Sequence, residues 1–217
     1  MIVDFRVLLA NRRFIKAYFE SQRIRKLQIG CGGNILENWI NTDINPCPGA
    51  LYLDARNKFP FASNTFDYVF SEHLIEHLTY DEAVRFLREC HRVLKLSGKI
   101  RVSTPDLRFL IELYGGNKTE LQQKYIAWAA RTFLPANINV CLDTFVINNF
   151  FRAWGHKFIY DDESLKTLMM ECGFADVRRF SSGQSEDENL RGIELHGRII
   201  GEEFNRLESM VLEGTKN

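Results

Sequence analysis

The stretch KLQIGCGGNILENWINTDINP, residues 26–46, constrains the fold more tightly than any other part of the chain. A short apolar run, KLQIG, reads as a buried strand and ends in Gly30-Cys31-Gly32-Gly33. Glycines at such a bend let the backbone approach a ligand closely, because no Cβ intervenes. Asp43 follows thirteen residues after Gly30, at the end of the next apolar run, WINTDI. A carboxylate ending a strand can accept both hydroxyl hydrogen bonds of a ribose; its other common use is as a turn residue or helix cap. Two nucleotide classes fit poorly. The dinucleotide fingerprint needs a third glycine where Ile35 stands and an acid about twenty residues on. The phosphate-binding loop with its Lys-Ser/Thr pair is absent as well.

The rest of the chain reads as alternating strands and helices. Residues 2–20 place Ile2, Phe5, Leu8, Leu9, Ile15, Tyr18 and Phe19 at helical spacing. Such a helix could lie on a membrane, but packing on the protein's own sheet or over a ligand is the favoured reading. WINTDI (39–44), LYLDA (51–55) and FDYVFS (66–71) read as strands. Thr79 and Glu82 form a capping box, opening a helix whose apolar face is Val84, Leu87, His91 and Leu94, with Lys95 and Gly98 closing it. KIRVST (99–104) is a fifth strand, stopped by Pro105. That order points to a parallel α/β sheet.

Beyond Asp106 the pattern changes. Helices are expected at 106–114 and 118–134, and 135–158 reads as irregular and aromatic, with Phe145, Phe150, Phe151, Trp154 and Phe158. A long non-periodic stretch inside a compact domain reads as a lid or binding loop, and an inserted helical hairpin is the alternative. DDESLKTLMMECGF (161–174) is a helix, and DVRRFS (176–181) and SMVLEGTK (209–216) are the last strands, separated by a polar, loop-like segment from 182 to about 192. The expected organisation is one domain over 1–217, with an N-terminal helix in 1–25 and a cap or lid in 107–158.

Charge sets limits on partners. Lys plus Arg and Asp plus Glu both total 28, so no global field draws the chain to nucleic acid or anionic membrane. The five cysteines form no CxxC pair, which speaks against a disulfide framework or zinc ribbon and for a reducing compartment. No run of 18 apolar residues occurs, and the expected location is the cytoplasm.

LQIGCGGN, INTDI, LYLDA, FPFASNTFDYVFSEHLIEHL and RVLKLSGKIRVSTPDL, in that order, resemble the successive motifs of class I S-adenosylmethionine-dependent methyltransferases. More narrowly, they resemble the small bacterial methyltransferase family associated with surface-polysaccharide genes. The resemblance covers about residues 26–106, 157–180 and 207–216. It implies a Rossmann-like fold with a seven-stranded, mostly parallel sheet whose last strand is antiparallel and inserted beside the sixth. It also implies S-adenosylmethionine as cofactor. Gly30, Cys31 and Gly32 would pass under its methionine part, and Asp43 would hold the ribose hydroxyls. Asp54 would accept from the adenine amine, Ala55 would offer its amide to the ring, and Ser71, Glu72 and His73 would face the methionine amino group or the sulfonium. Gln28 stands where the family usually has an acid, and Asn34 where a third glycine is common.

Histidines carry the remaining chemistry. In SEHLIEHL, His73, Glu76 and His77 have i, i+3, i+4 spacing, which can bind a divalent ion or serve as a structural segment; no metal is expected. His156, in RAWGHKF, ends the aromatic insertion, and His196, in ELHGR, precedes the last strand. Either could deprotonate an acceptor hydroxyl near neutral pH, with Arg152 and Tyr160 as hydrogen-bonding neighbours. The expected function is methyl transfer to a small-molecule or saccharide acceptor, on oxygen, with neither nucleic acid nor stable membrane insertion and an open oligomeric state. The alternatives are a non-catalytic cofactor-binding protein of the same fold and a Rossmann oxidoreductase.

Overall fold

The computed structural model describes residues 5–135 and 141–217. Ile2 of the expected first helix and residues 136–140 of the expected lid lie outside them. Seven strands form one sheet: β1 (Lys26–Ile29), β2 (Ile40–Asp43), β3 (Ala50–Tyr52), β4 (Phe66–Glu72), β5 (Leu94–Pro105), β6 (Phe174–Phe180) and β7 (Ser209–Lys216). Their order across the sheet is β3-β2-β1-β4-β5-β7-β6. The pairs from β3 to β5 are parallel, while β7 runs antiparallel to both β5 and β6.

The link from β1 to β2 contains no helix. Asn41 makes that short path workable. Its side-chain oxygen accepts the N–H of Leu36 at 3.0 Å and its amide donates to the Leu36 carbonyl at 3.0 Å, so one buried side chain replaces the missing backbone pairing. This is why Asp43 arrives so soon after the glycines.

Successive residues of a strand face opposite sides of a sheet, and both sides here are covered. Leu27, Ile29, Ile40, Val69, Ile100 and Val102 pack on one side against Tyr18 of α1 (Phe5–Ser21), α2 (Tyr80–Val93) and α6 (Asp162–Glu171). Each such buried side chain contributes about 1.5–3 kcal/mol. On the other side Phe70 meets Trp39 edge to face at 6.2 Å, with Leu190 and Ile193 over them. The Thr79–Glu82 capping box opens α2 as expected. Its buried face is Ala83, Phe86, Leu87, Cys90 and Val93, rotated from the expected one, so Val84 and His91 lie half-buried at its edge. The helix also ends earlier. Leu94 passes directly into β5, Lys95 pairs with Asp67 at 2.8 Å, and Gly98 is enclosed by backbone rather than capping a helix.

Above the C-terminal end of β5, α3 (Leu107–Tyr114), α4 (Glu120–Phe133) and α5 (Asp143–Arg152) form a separate apolar cluster around Phe109, Tyr125, Val146 and Phe150. The expected irregular stretch is therefore partly helical, α5 being its ordered part. Two short helices unmarked in the sequence reading, α7 (Gly197–Ile200) and α8 (Glu202–Glu208), lead into β7. Among the described residues, no helix is long and apolar enough to cross a membrane.

Candidate active site

The sheet order reverses between β1 and β4, and ligands of open α/β sheets bind in the crevice beyond the strand ends at such a switch. Gly30 has φ +74° and an added Cβ would lie 2.7 Å from Leu74, so this glycine is needed for packing as well as conformation. Gly32, at φ +52°, and Gly33 differ: nothing stands within 4 Å of a Cβ at either. Asp43 closes β2 beside that open space. Its Oδ2 accepts the Gly32 N–H at 2.8 Å and its Oδ1 the Asn45 N–H at 2.7 Å. Burial, with Asp43 and Cys47 nearby, pushes the Cys31 thiol up to about 12, so the floor of the bend stays uncharged there.

Asp54, just past β3, accepts from Arg56 Nε at 2.8 Å and Nη2 at 2.7 Å and from Asn57 Nδ2 at 3.0 Å. The Arg56 contact holds its carboxyl below the usual range. Ala55 beside it is buried. Ser71, in β4, is fully buried, and its Oγ has no hydrogen-bond partner. The next side chain faces away: Glu72 accepts the backbone N–H groups of Leu195 and His196 at 3.0–3.1 Å. That carboxylate ties the strand end to the segment before α7.

His73 begins a second half of the site. It has φ +48°, uncommon for a residue with a Cβ, and leads into a 3-10 turn, Ile75–His77. The Glu76 carbonyl in that turn accepts N–H bonds from Lys157 at 2.7 Å and Phe158 at 3.2 Å. This staple brings the end of the lid down beside β4, with the ring centroids of His77 and His156 4.9 Å apart. A cavity of about 330 Å³ results, lined by His73, Glu76, His77, His156, His196 and Glu208 on its polar side. Tyr125, Trp128, Phe133, Phe150 and Trp154 line the rest.

The polar side is internally organised. His73 Nδ1 lies 3.1 Å from Glu76 Oε1, and His73 Nε2 lies 3.1 Å from Ser209 Oγ, which itself donates to Asn205. With its own proton given to Asn205, Ser209 Oγ accepts from His73 Nε2, while Nδ1 stands close to Glu76 Oε1, which has no hydrogen-bond partner. Burial opposes charge on this pair, and their mutual contact outweighs it, holding His73 above and Glu76 below their ordinary ranges. Glu76 Oε2 accepts from Thr104 Oγ1 at 3.0 Å. His196 stacks on His73 with centroids 3.9 Å apart, and its Nε2 lies 3.3 Å from Glu208 Oε1. The other oxygen of Glu208 accepts from the Tyr125 hydroxyl. His156 Nδ1 donates to the Phe150 carbonyl at 2.7 Å, and burial lowers its pKa against the pull of Glu76.

Both expected histidines thus line one cavity, together with His73, which was expected at the cofactor; Glu72, also expected there, is instead engaged by the backbone of Leu195 and His196, while Gly32 and Asp43 are joined at the ends of β1 and β2. Arg152 is exposed, and Tyr160 is fully buried with its hydroxyl unpartnered. Glu208, Tyr125 and Thr104 went unread because their contacts, to His196, Glu208 and Glu76 in turn, join separate parts of the chain. Glu208 follows Tyr125 by 83 residues, and no local spacing marks such a pair.

Residues 27–102 match a family model described as a methyltransferase domain. No curated protein is similar enough to the chain to count as a match. Among solved structures, an S-adenosylmethionine-dependent methyltransferase from Archaeoglobus fulgidus is 22% identical, covering 97% of this chain and 94% of that one, with a TM-score of 0.54. An S-adenosylmethionine-dependent methyltransferase from Thermotoga maritima is 16% identical, covering 98% and 97%, with a TM-score of 0.49. Phosphoethanolamine N-methyltransferase 2 of Haemonchus contortus, in complex with S-adenosylmethionine, is 14% identical, covering 95% and 52%, with a TM-score of 0.47. The chain has the Rossmann-like class I methyltransferase fold, and the domain match within it supports an enzyme that uses S-adenosylmethionine.

Proposed function

We infer that the protein moves a methyl group from S-adenosylmethionine to an oxygen of a small, glycan-like acceptor of the kind found in surface polysaccharides. It would act in the cytoplasm, where its five free cysteines stay reduced. When bound, S-adenosylmethionine supplies an electrophilic methyl group on a sulfonium. The residues at the switch point suit it. The space over Gly32 and Gly33 accepts a chain passing close to backbone, Asp43 is pre-set by two N–H donors to receive ribose hydroxyls, and the orphaned Ser71 Oγ is a buried group in search of a partner. Asp54 would reach an adenine amine while keeping Arg56, with Ala55 against the ring.

The single observation that carries the acceptor assignment is the cavity beside this crevice, aromatic on one side and histidine-lined on the other. Its volume suits a monosaccharide-sized molecule, near the lower end of ligand pockets. Aromatic faces pack on the C–H face of a sugar, and the histidines meet its hydroxyls. His196 is the proton acceptor. With Nε2 donating to Glu208, its Nδ1 keeps a lone pair, and the carboxylate stabilises the cation formed when a hydroxyl proton arrives. His156 faces the same acceptor from the lid. Alignment and exclusion of water do the remaining work, because the methyl group is already activated.

Methyl transfer from labelled S-adenosylmethionine to a panel of free and nucleotide-linked sugars tests this reading. His196→Ala is expected to lower turnover by about 100-fold or more with S-adenosylhomocysteine affinity unchanged. Transfer that proceeds equally well in His196→Ala removes it as the base.

A further inference from the structure

The cavity holds more ligating groups than a single proton acceptor needs. Glu76, His77 and His156 each offer one atom, and these three atoms all lie within 4.8 Å of one another. The three residues come from two separate parts of the chain, joined by the backbone staple from Lys157 and Phe158 to the Glu76 carbonyl. Their surroundings orient them as ligands. His156 gives its Nδ1 proton to the Phe150 carbonyl, so the lone pair sits on Nε2. A metal-bound histidine has its second ring nitrogen held in the same way, by a carbonyl or carboxylate. Glu76 is fully buried and anchored at Oε2 by Thr104, while its buried Oε1 has no hydrogen-bond partner. Among the described residues, the His77 ring has no hydrogen-bond partner.

We propose that Glu76, His77 and His156 form a three-ligand site for a divalent transition-metal ion whose open position faces the acceptor cavity. This departs from the expectation of no metal drawn from the sequence. Two imidazoles and one carboxylate select zinc, cobalt or ferrous iron over magnesium or calcium, which take all-oxygen shells. Three protein ligands with one open place is the arrangement of catalytic rather than structural zinc. The neighbouring triad of His73, His196 and Glu208 also clusters, but its groups are already engaged: His73 Nε2 is taken by Ser209, and Glu208 accepts from His196 and Tyr125. An ion held there would polarise an acceptor oxygen and ease loss of its proton to His196. That last role rests on the proposed methyl transfer; the metal site does not.

The test is titration of the chelator-treated, full-length protein with Co²⁺ and Zn²⁺. It is followed by the visible absorption of bound cobalt, by calorimetry and by metal content after gel filtration. One ion per chain is expected, with magnesium failing to displace it. His77→Ala and His156→Ala, both at half-buried positions and checked for folding by circular dichroism, should each weaken zinc binding by at least about 100-fold. Thr104→Val should weaken it by about 10–100-fold while leaving all three ligands in place. His196→Ala should leave it unchanged, which separates the two triads. No stoichiometric binding to the wild type, or binding that survives loss of His77 and His156, overturns the proposal; so does binding abolished by His196→Ala alone. S-adenosylhomocysteine affinity measured on the same samples reports on the methyltransferase reading independently. Its loss with zinc binding intact would count against that reading and leave the metal site standing.

Discussion

Asp43 Oδ2 accepts the backbone N–H of Gly32 at 2.8 Å, so the carboxylate ending β2 and the glycine bend ending β1 move as one piece. Any ligand that uses either residue depends on both. Asp43→Ala should weaken S-adenosylhomocysteine binding by about 1–3 kcal/mol, the range for removing hydrogen bonds to a charged group. Calorimetry measures it, and unchanged affinity would take Asp43 out of the site.

The two glycines of the bend should respond differently to the same change. In Gly30→Ala the new methyl group meets Leu74 at 2.7 Å on top of an unfavourable φ, so the whole protein should lose stability, by more than about 2 kcal/mol. In Gly32→Ala there is no clash, only strain of about 1–2 kcal/mol from the left-handed backbone. That methyl group instead stands in the open space proposed for the cofactor. Urea midpoints and S-adenosylhomocysteine affinities of the two variants should therefore rank in opposite orders.

Arg101, fully buried in β5, is held by both Glu194 and Glu213, tying β7 and the segment before His196 to the middle of the sheet. Replacing it with Met leaves two buried carboxylates facing an apolar chain. A loss of about 3–5 kcal/mol is expected in chemical denaturation. Arg101→Met combined with Glu194→Gln and Glu213→Gln should recover part of it, because the uncompensated charges are then gone.

The capping box of α2 makes a prediction about acid. The Thr79 backbone N–H and the Lys157 ammonium hold the Glu82 carboxyl down at about 2, from an ordinary 4.5. The folded state therefore ionises more readily than the unfolded one. The stabilisation is complete above about 4.5 and disappears as the pH falls toward 2. Glu82→Gln should thus be less stable than the parent at pH 6 and converge on it in acid, the gap being modest because the pair lies near solvent. Thr79→Ala should cost about 1 kcal/mol at neutral pH.

The parts of this fold that were legible in the sequence are those with local signals. β7 was expected at 209–216 and spans Ser209–Lys216, and the Thr79–Glu82 box opens α2 as read. Where the local signal is silent or ambiguous, the reading failed. α5 begins after Leu142, which makes no side-chain cap, so its start is unmarked. Lys95 and Gly98 look like a helix end, but Lys95 is drawn to Asp67 on the neighbouring strand, a pairing invisible in sequence. The candidate site divides the same way. The glycines, Asp43 and the His73–His77 segment follow strand ends and could be found there. The partnership of Glu76 with His156 exists only because the lid returns to the end of β4, and that of His196 with Glu208 needs two short helices with no clear start signals.

Among the described residues β6 has a single hydrogen-bonded neighbour in the sheet, and that neighbour is β7, which follows the other six strands in the chain. As the chain leaves the ribosome, β1 to β5 can zip together in parallel, but β6 has nowhere to dock until residues 209–216 have slid in beside β5. The same insertion carries Glu208 and Ser209 up to the histidines. Completion of the sheet and completion of the histidine-lined cavity are therefore one event, so a nascent chain cannot acquire the cavity before its sheet has closed.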